Sequence, residues 1–501
     1  MSEPAANAVP PPTKQNLAGV KTVLRYTGIP PSWLDKRPKL PSRNWLIFIG
    51  VTSTIAGYYI YDRRKCKEIR QEYVDRVKCL AEVPLHSLDY PRKVTVYGSK
   101  WPGDEDHGRS IKYFRKYVKP ILVAAAVDYE IISGKRHGEL MNRIADDIKR
   151  RRRIEAGLDQ PPLTPMVLPN TSPEDKRRRE LDGGVVIVGR PTFKEYMAGL
   201  KKGWTEGLEL VDREEALSRR LESDGRFDEP EPEPDLASAS EGDTDDEPIP
   251  TASRLPPSKP FTAFMPPHLQ KSAPPQPSQS HQGPTIPPHL NAPPASIPQQ
   301  PPILFVHFVN YIGLTQIPHM IWEFFNERYK VRAGAEAAYR LISGTTRPFI
   351  GPVADALHEE ADGTSPAKPH LSEVTPDDLE FDKDTESYYK KSIVRSFASE
   401  IEKARTEYYA GLPAKLETAR ALARGTREPT KDEQSFPPPT EVELRAERMK
   451  KELRWQADEV GWDIIKPERN VAWDERFRNA MSTFADPPSD KADVVRDDRT
   501  S

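Results

Sequence analysis

Of 501 residues, 53 are proline and 30% are charged, while the hydrophobic set reaches only 36%. That proline share is about twice the usual ~5%, and 21 of the prolines crowd into residues 230–302, which cannot hold a packed helical or sheet core. One globule made of the whole chain is therefore excluded. The formal charge of -2 excludes a generally basic nucleic-acid binder, and two cysteines exclude a disulfide scaffold or a cysteine-rich zinc site. Cys66 and Cys79 fall on one expected helix, about 20 Å apart and beyond disulfide reach, so two separate thiols are expected.

Residues 1–44 are basic and poor in acid, with Leu17, Val20 and Leu24 able to share a helix face. This is the chemistry of mitochondrial targeting or of a disordered basic tail. Residues 45–61, WLIFIGVTSTIAGYYIY, carry no charge and no proline. Seventeen residues sit at the lower edge of spanning length, and a transmembrane helix is expected rather than a buried soluble one. Trp45 at one end and Tyr58, Tyr59 and Tyr61 at the other fit a membrane interface. Gly50, Ser53, Thr54 and Gly57 form a small-residue face that could pack closely against another membrane helix. Basic residues flank both ends almost equally, so charge does not set the orientation.

A charged connecting helix is expected over 62–91, with Ile69, Tyr73, Val77 and Leu80 on one stripe. From 92 to 226 the pattern alternates strand and helix. Strands are expected at Lys93–Gly98, Val127–Ser133 and Gly183–Gly189, the last apolar enough to be buried on both faces. Helices are expected from about Arg109, from His137 to Arg153, and from about Thr192, with a proline- and arginine-rich insertion over 154–181. This order predicts a parallel α/β sheet.

Residues 227–302 read as an acidic and then proline-rich linker. Its MPPHL and IPPHL repeats could be polyproline docking motifs, although linker composition explains them. Residues 303–360 read as a strand followed by an aromatic helix over 317–342. The uncharged run 303–322 raises a second membrane span, against which its histidines, Asn310, Gln316 and Pro318 count. A linker over 361–384 leads to a helical region, 385–486, and a polar tail, 487–501. Thr440 and Glu443 fit a capping box.

A strand that ends in glycine and enters a helix is where a phosphate site is sought. Here the turn is Gly189-Arg190-Pro191-Thr192, and proline withholds one of the amides such a site needs. No nucleophile–base–acid set or metal spacing stands out, and no cofactor or metal is expected. The lysine- and arginine-rich runs at 149–153 and 176–179 read as solvated faces, with anionic lipid as the other possibility.

The strings from RKVTVYG through FRKYVKPILVAAAVDYEIISGKRHGEL to GGVVIVGRPTF resemble the N-terminal lobe of diacylglycerol-type lipid kinases. Where that family has a GGDGT loop this chain has GRPT, keeping only Gly189 and Thr192, which speaks against kinase activity. The wider organisation is similar to the fungal Tim fifty-four family, most specifically through GTREPT, PPPTEVELRAERMKKELRW, GWDIIKP and VAWDERF. That resemblance implies a non-enzymatic subunit of the mitochondrial inner-membrane translocase that inserts carrier proteins. It implies a single-pass chain with its N-terminus in the matrix and its C-terminal domain in the intermembrane space. The implied partners are the channel-forming and other membrane subunits, small intermembrane-space chaperone complexes and the lipid bilayer, with no nucleic acid. The alternative is a membrane-bound lipid kinase with residual activity.

Overall fold

The computed structural model describes residues 42–84, 91–160, 173–209, 212–228, 286–352 and 377–487. The basic N-terminal segment, most of the linkers and nearly all of the polar tail lie outside these residues. The chain divides into two units, residues 1–65 and 66–501.

In the first unit the described residues belong to a single helix, α1 (Arg43–Ala81), which runs on into the second. The expected span and the expected connecting helix are thus one element. The expected transmembrane character is not shown: no helix among the described residues is long and apolar enough to cross a membrane. Thr52, Ser53 and Thr54 interrupt the aliphatic run, and three tyrosines close it. The side chains are nevertheless outward and apolar, with Trp45, Ile47, Phe48, Val51 and Ile55 all exposed.

The second unit is built on a six-stranded sheet in the order β2-β1-β3-β4-β6-β5. Its first three strands are β1 (Lys93–Gly98), β2 (Asp128–Ser133) and β3 (Val185–Val188), as the sequence predicts. β1 pairs in parallel with β2 and with β3, Val96 lying opposite both Ile131 and Val186. The sheet does not stop there. β4 (Ile303–Val306) continues it in parallel from beyond the proline-rich linker, Val186 opposite Leu304. Two short strands complete it. β5 (Thr346–Pro348) and β6 (Ser482–Phe484) pair antiparallel, and β6 joins β4 in parallel through Ile303 and Thr483. The linker is therefore an insertion between neighbouring strands of one sheet.

Alternation along the central strands explains why both faces are covered. Val94, Val96, Val186, Val188, Leu304 and Val306 face one core. Against them pack Ile69, Tyr73 and Val77 of α1, the helices α2 (Arg109–Tyr117) and α3 (Lys119–Ala124), and the later helix at 327–343. Val185, Ile187 and Ile303 face the other core, beneath α4 (Glu139–Glu155) and α6 (Arg190–Thr205). Between those two, α5 (Pro173–Gly183) leads into β3 from the expected insertion. α4 and α6 approach closely because a Cβ on Gly199 or Gly203 would stand within 3.0 Å of Ile144 or Ile148.

Two expected helices are broken in the structure. The one from Arg109 divides at Val118, where Pro120 falls in the first turn of α3 and can give no amide to a preceding turn. The aromatic one divides at Asn326 (φ −127°, ψ 40°). α7 (Arg213–Glu222) precedes the linker, and α8 (Ile317–Phe325) and α9 (Glu327–Ser343) follow β4. Because β4 is a sheet strand and α8 has nine residues, the 303–322 run is no membrane span.

The long helices α10 (Lys391–Arg424) and α11 (Glu441–Ile465) share a third cluster of Ile401, Tyr408, Leu412, Leu416, Leu444 and Trp455. α11 opens on both halves of the capping box between Thr440 and Glu443. Neither cysteine is in a disulfide; Cys66 is buried and Cys79 exposed.

Candidate functional site

The strand order reverses between β2-β1 and β3, and open α/β sheets bind ligands beyond the C-terminal ends of the strands at such a point. Gly98 and Val188 end the two strands there. Gly189 follows with φ 79° and ψ 164°, a backbone that suits glycine, and a Cβ at this position would stand 3.1 Å from the Phe308 ring. α6 then begins at Arg190, with Pro191 in its first turn.

The polar groups of this corner are spent on one another. Thr192 Oγ1 accepts the Ser99 amide at 3.0 Å and donates to the Val188 carbonyl at 2.7 Å. Ser110 Oγ donates to the Ser99 carbonyl at 3.1 Å. All three side chains are buried, so their hydroxyls fasten the end of β1 to β3 and α2.

Arg190 and Lys194, one helical turn apart and both buried, grip the same carboxylate oxygen. Glu386 Oε1 lies 2.8 Å from Arg190 Nε and 2.7 Å from Lys194 Nζ. Arg190 Nη1 also donates to the Leu379 carbonyl and, at 2.9 Å, to that of Phe381. Lys194 Nζ donates to the Lys466 carbonyl at 2.9 Å, tying in the end of α11. Burial draws the Lys194 ammonium below its usual range, and Glu386 opposes that shift. Beside this cluster Asp382, at φ 53°, accepts the Phe308 amide at 3.1 Å and pairs with His307 Nδ1 at 2.5 Å, which raises the His307 pKa.

The four expected loop residues are thus together, but Arg190, with Lys194 one turn on, points to a protein anion. The segment 377–388 supplies it, through two 3₁₀ turns at Asp378–Glu380 and Lys383–Tyr388. A carboxylate stands where Arg190 would otherwise attract phosphate. Sequence reading missed Glu386 because 196 positions separate it from Arg190. The spacing of Arg190 and Lys194 on one turn was the available signal, since two buried cations need an anion between them.

No group of three or more His, Cys, Asp or Glu side chains among the described residues could hold a metal ion. His137 is buried, which lowers its pKa to about 4 and leaves the ring neutral. Glu195 is fully buried on the other side of α6, and burial raises its carboxyl to about 8 despite a 3.1 Å bond from the Leu140 amide. A raised carboxyl means the folded state holds a proton that the unfolded state releases near pH 4.3. Its contribution to stability is therefore complete at low pH and declines as pH rises toward about 8. Glu195→Gln is expected to flatten that decline and to be more stable than the parent at pH 8; urea midpoints from pH 5 to 8 check this.

On α1, Gly50, Ser53, Thr54 and Gly57 are exposed. Among the described residues no atom outside the adjoining backbone of α1 and the neighbouring residues lies within 4 Å of where a Cβ on Gly50 or Gly57 would stand. Thr52 and Thr54 return their hydroxyl protons to the Phe48 and Gly50 carbonyls, each at 2.8 Å. Trp45, Tyr58 and Tyr61 are exposed, and Tyr59 is half-buried beneath the Arg63 guanidinium.

A family described as "Inner membrane protein import complex subunit Tim54" matches residues 21–410, which is most of the chain. The chain belongs to the Tim54 family. A relative from Cryptococcus neoformans, named mitochondrial import inner membrane translocase subunit TIM54, is 38% identical over 480 residues, covering 95% of this chain and 96% of its own. Relatives of the same name include one from Candida albicans, 29% identical over 68% of this chain and 87% of its own. Another, from Yarrowia lipolytica, is 32% identical over 42% and 46%. The match to the Cryptococcus member covers nearly the whole Tim54-family chain on both sides, so the likeness extends well beyond the α/β unit.

Proposed function

We propose that this chain is a non-enzymatic, membrane-anchored subunit of the mitochondrial inner-membrane translocase that inserts multi-spanning carrier proteins. The observation that carries the reading is the 38% identity to a translocase subunit over 95% of the chain. In this reading the chain is a scaffold beside the channel-forming subunit and a platform for small intermembrane-space chaperones. Residues 45–61 anchor it as a single pass, with the N-terminus in the matrix and the larger unit in the intermembrane space.

Physical support for the anchor comes from α1. An exposed apolar helix is costly in water, and the hydroxyls of Thr52 and Thr54 are already bonded to their own helix, so they bring no unpaired donor into lipid. Seventeen residues give about 25 Å of helix, which a slightly thinned bilayer accommodates. Gly50 and Gly57 are seven residues apart on one face and open to a neighbouring helix. The lipid-kinase alternative gains nothing from this corner, where Arg190 and Lys194 already hold Glu386.

Gly50→Leu with Gly57→Leu is expected to release the chain from the translocase on native gels while leaving it in the alkali-resistant membrane fraction. Unchanged co-migration would contradict the packing role. Protease treatment of mitochondria with opened outer membranes is expected to digest the larger unit. Protection there would reverse the orientation, and extraction by alkali would remove the anchor.

A further inference from the structure

The segment 377–388 is fastened to the sheet at two points of different character. One is the buried grip of Arg190 and Lys194 on Glu386. The other lies four residues earlier, at Asp382. This residue stands between the two 3₁₀ turns at φ 53°, a left-handed backbone that aspartate and asparagine tolerate better than most side chains. Its carbonyl accepts the Thr385 amide at 3.0 Å and the Thr385 hydroxyl at 2.6 Å. Its carboxylate reaches back to the end of β4, where Oδ2 accepts the Phe308 amide at 3.1 Å and Oδ1 faces His307 Nδ1 at 2.5 Å. The Asp382 side chain is only 6% exposed, whereas that of His307 is 61% exposed. A buried carboxylate needs a cation close by. Among the described residues no lysine or arginine pairs with this one, so its cation is a histidine that exchanges protons freely with water.

We propose that His307 and Asp382 form a proton-operated latch, which fastens the 377–388 segment to the end of β4 while His307 carries its proton and loosens it when the proton leaves. The groups around the ring set the direction. The bond to Asp382 holds the His307 pKa above its ordinary 6.5, with burial opposing. Lys330 of α9 lowers it and Glu323 of α8 raises it, and these two pair with each other at 2.5 Å, so they partly offset. Tyr113 of α2, whose ring meets that of Phe308, is pushed up by burial and stays neutral. A histidine whose pKa is raised by folding stabilises the folded state fully below about pH 6.5 and loses that contribution as pH rises through the folded value. The latch is therefore closed in mild acid and opens as pH passes that higher value. Loosening stops at Thr385, because Arg190 and Lys194 keep Glu386.

Hydrogen–deuterium exchange of the full chain in detergent tests this, at about pH 5.5 and about pH 8, with labelling times scaled for the pH dependence of chemical exchange. The amides of Phe308 and Thr385 report directly, since Asp382 accepts both. Both are expected to lose protection about tenfold at the higher pH. His307→Gln leaves a neutral donor on an exposed site, and Asp382→Asn keeps the left-handed backbone and an acceptor for the Phe308 amide. Each variant is expected to exchange at the faster rate at both pH values, while His307→Lys, charged throughout, stays slow at both. Equal protection of the two amides at both pH values in the parent overturns the proposal, and that comparison needs no variant. A pH dependence that survives in both His307→Gln and Asp382→Asn overturns it as well. Such a remnant belongs to Glu195, which titrates over the same range and is untouched in these variants.

Discussion

Glu386→Ala is expected to destabilise the second unit by about 3–5 kcal/mol, because it strands two buried cations in a site that cannot hydrate them. Arg190 and Lys194 are both almost wholly inaccessible and share Glu386 Oε1. Their remaining bonds to carbonyls of Leu379, Phe381 and Lys466 orient them without neutralising them. The measurement is the urea midpoint at unchanged slope, followed by fluorescence of the buried tryptophans. Replacing all three ionic groups together, by Arg190→Met, Lys194→Met and Glu386→Leu, should recover much of the loss, since a buried ion triad contributes little beyond its apolar substitute. A loss below about 1 kcal/mol for Glu386→Ala would mean that water reaches the cluster and that the site is open.

The second large effect concerns the sheet. Residues 66–228 expressed alone are expected not to fold, although they contain the whole strand–helix alternation visible in the sequence. β3 would become an edge, and the cores on both its faces would lose Ile303, Leu304 and Val306. Phe477 and Phe484 would go as well. At about 1.5–3 kcal/mol for each buried apolar side chain, these five losses approach or exceed the whole stability of a domain, about 5–15 kcal/mol. Co-expression with residues 286–487 should restore folding, because the two pieces share one sheet and between them hold all of its described strands. Circular dichroism and co-purification check both halves. A cooperative unfolding transition from residues 66–228 alone would show that the first three strands are self-sufficient.

Local pattern made much of this legible. β1 is at its expected bounds, β2 and β3 lie within theirs, and α4 and α6 stand close to where helices are expected; Val96, Val186 and Ile187 in the strands, and Leu140, Ile144 and Ile148 in α4, repeat at the period of their element. β5 and β6 were not legible. Three residues such as Ser482-Thr483-Phe484 contain no period, and they are strands only because β4 offers an edge. The same reason hid the true extent of the sheet, since pairing between Val186 and Leu304 spans a linker whose composition suggests separation. At the site, the odd chemistry of Gly189-Arg190-Pro191-Thr192 could be read from spacing. Its explanation could not, because Glu386 reaches the loop only through the tertiary fold.

At the end of β3, where a nucleotide's phosphate would bind, the chain's own carboxylate, Glu386, holds Arg190 and Lys194. Titration of the full chain in detergent with magnesium-ATP tests it most directly, followed calorimetrically into the millimolar range and repeated with Arg190→Ala. No saturable binding by either protein is expected. Micromolar, saturable binding that Arg190→Ala abolishes would show that Glu386 yields to phosphate, and would return this corner of the sheet to the class of nucleotide sites.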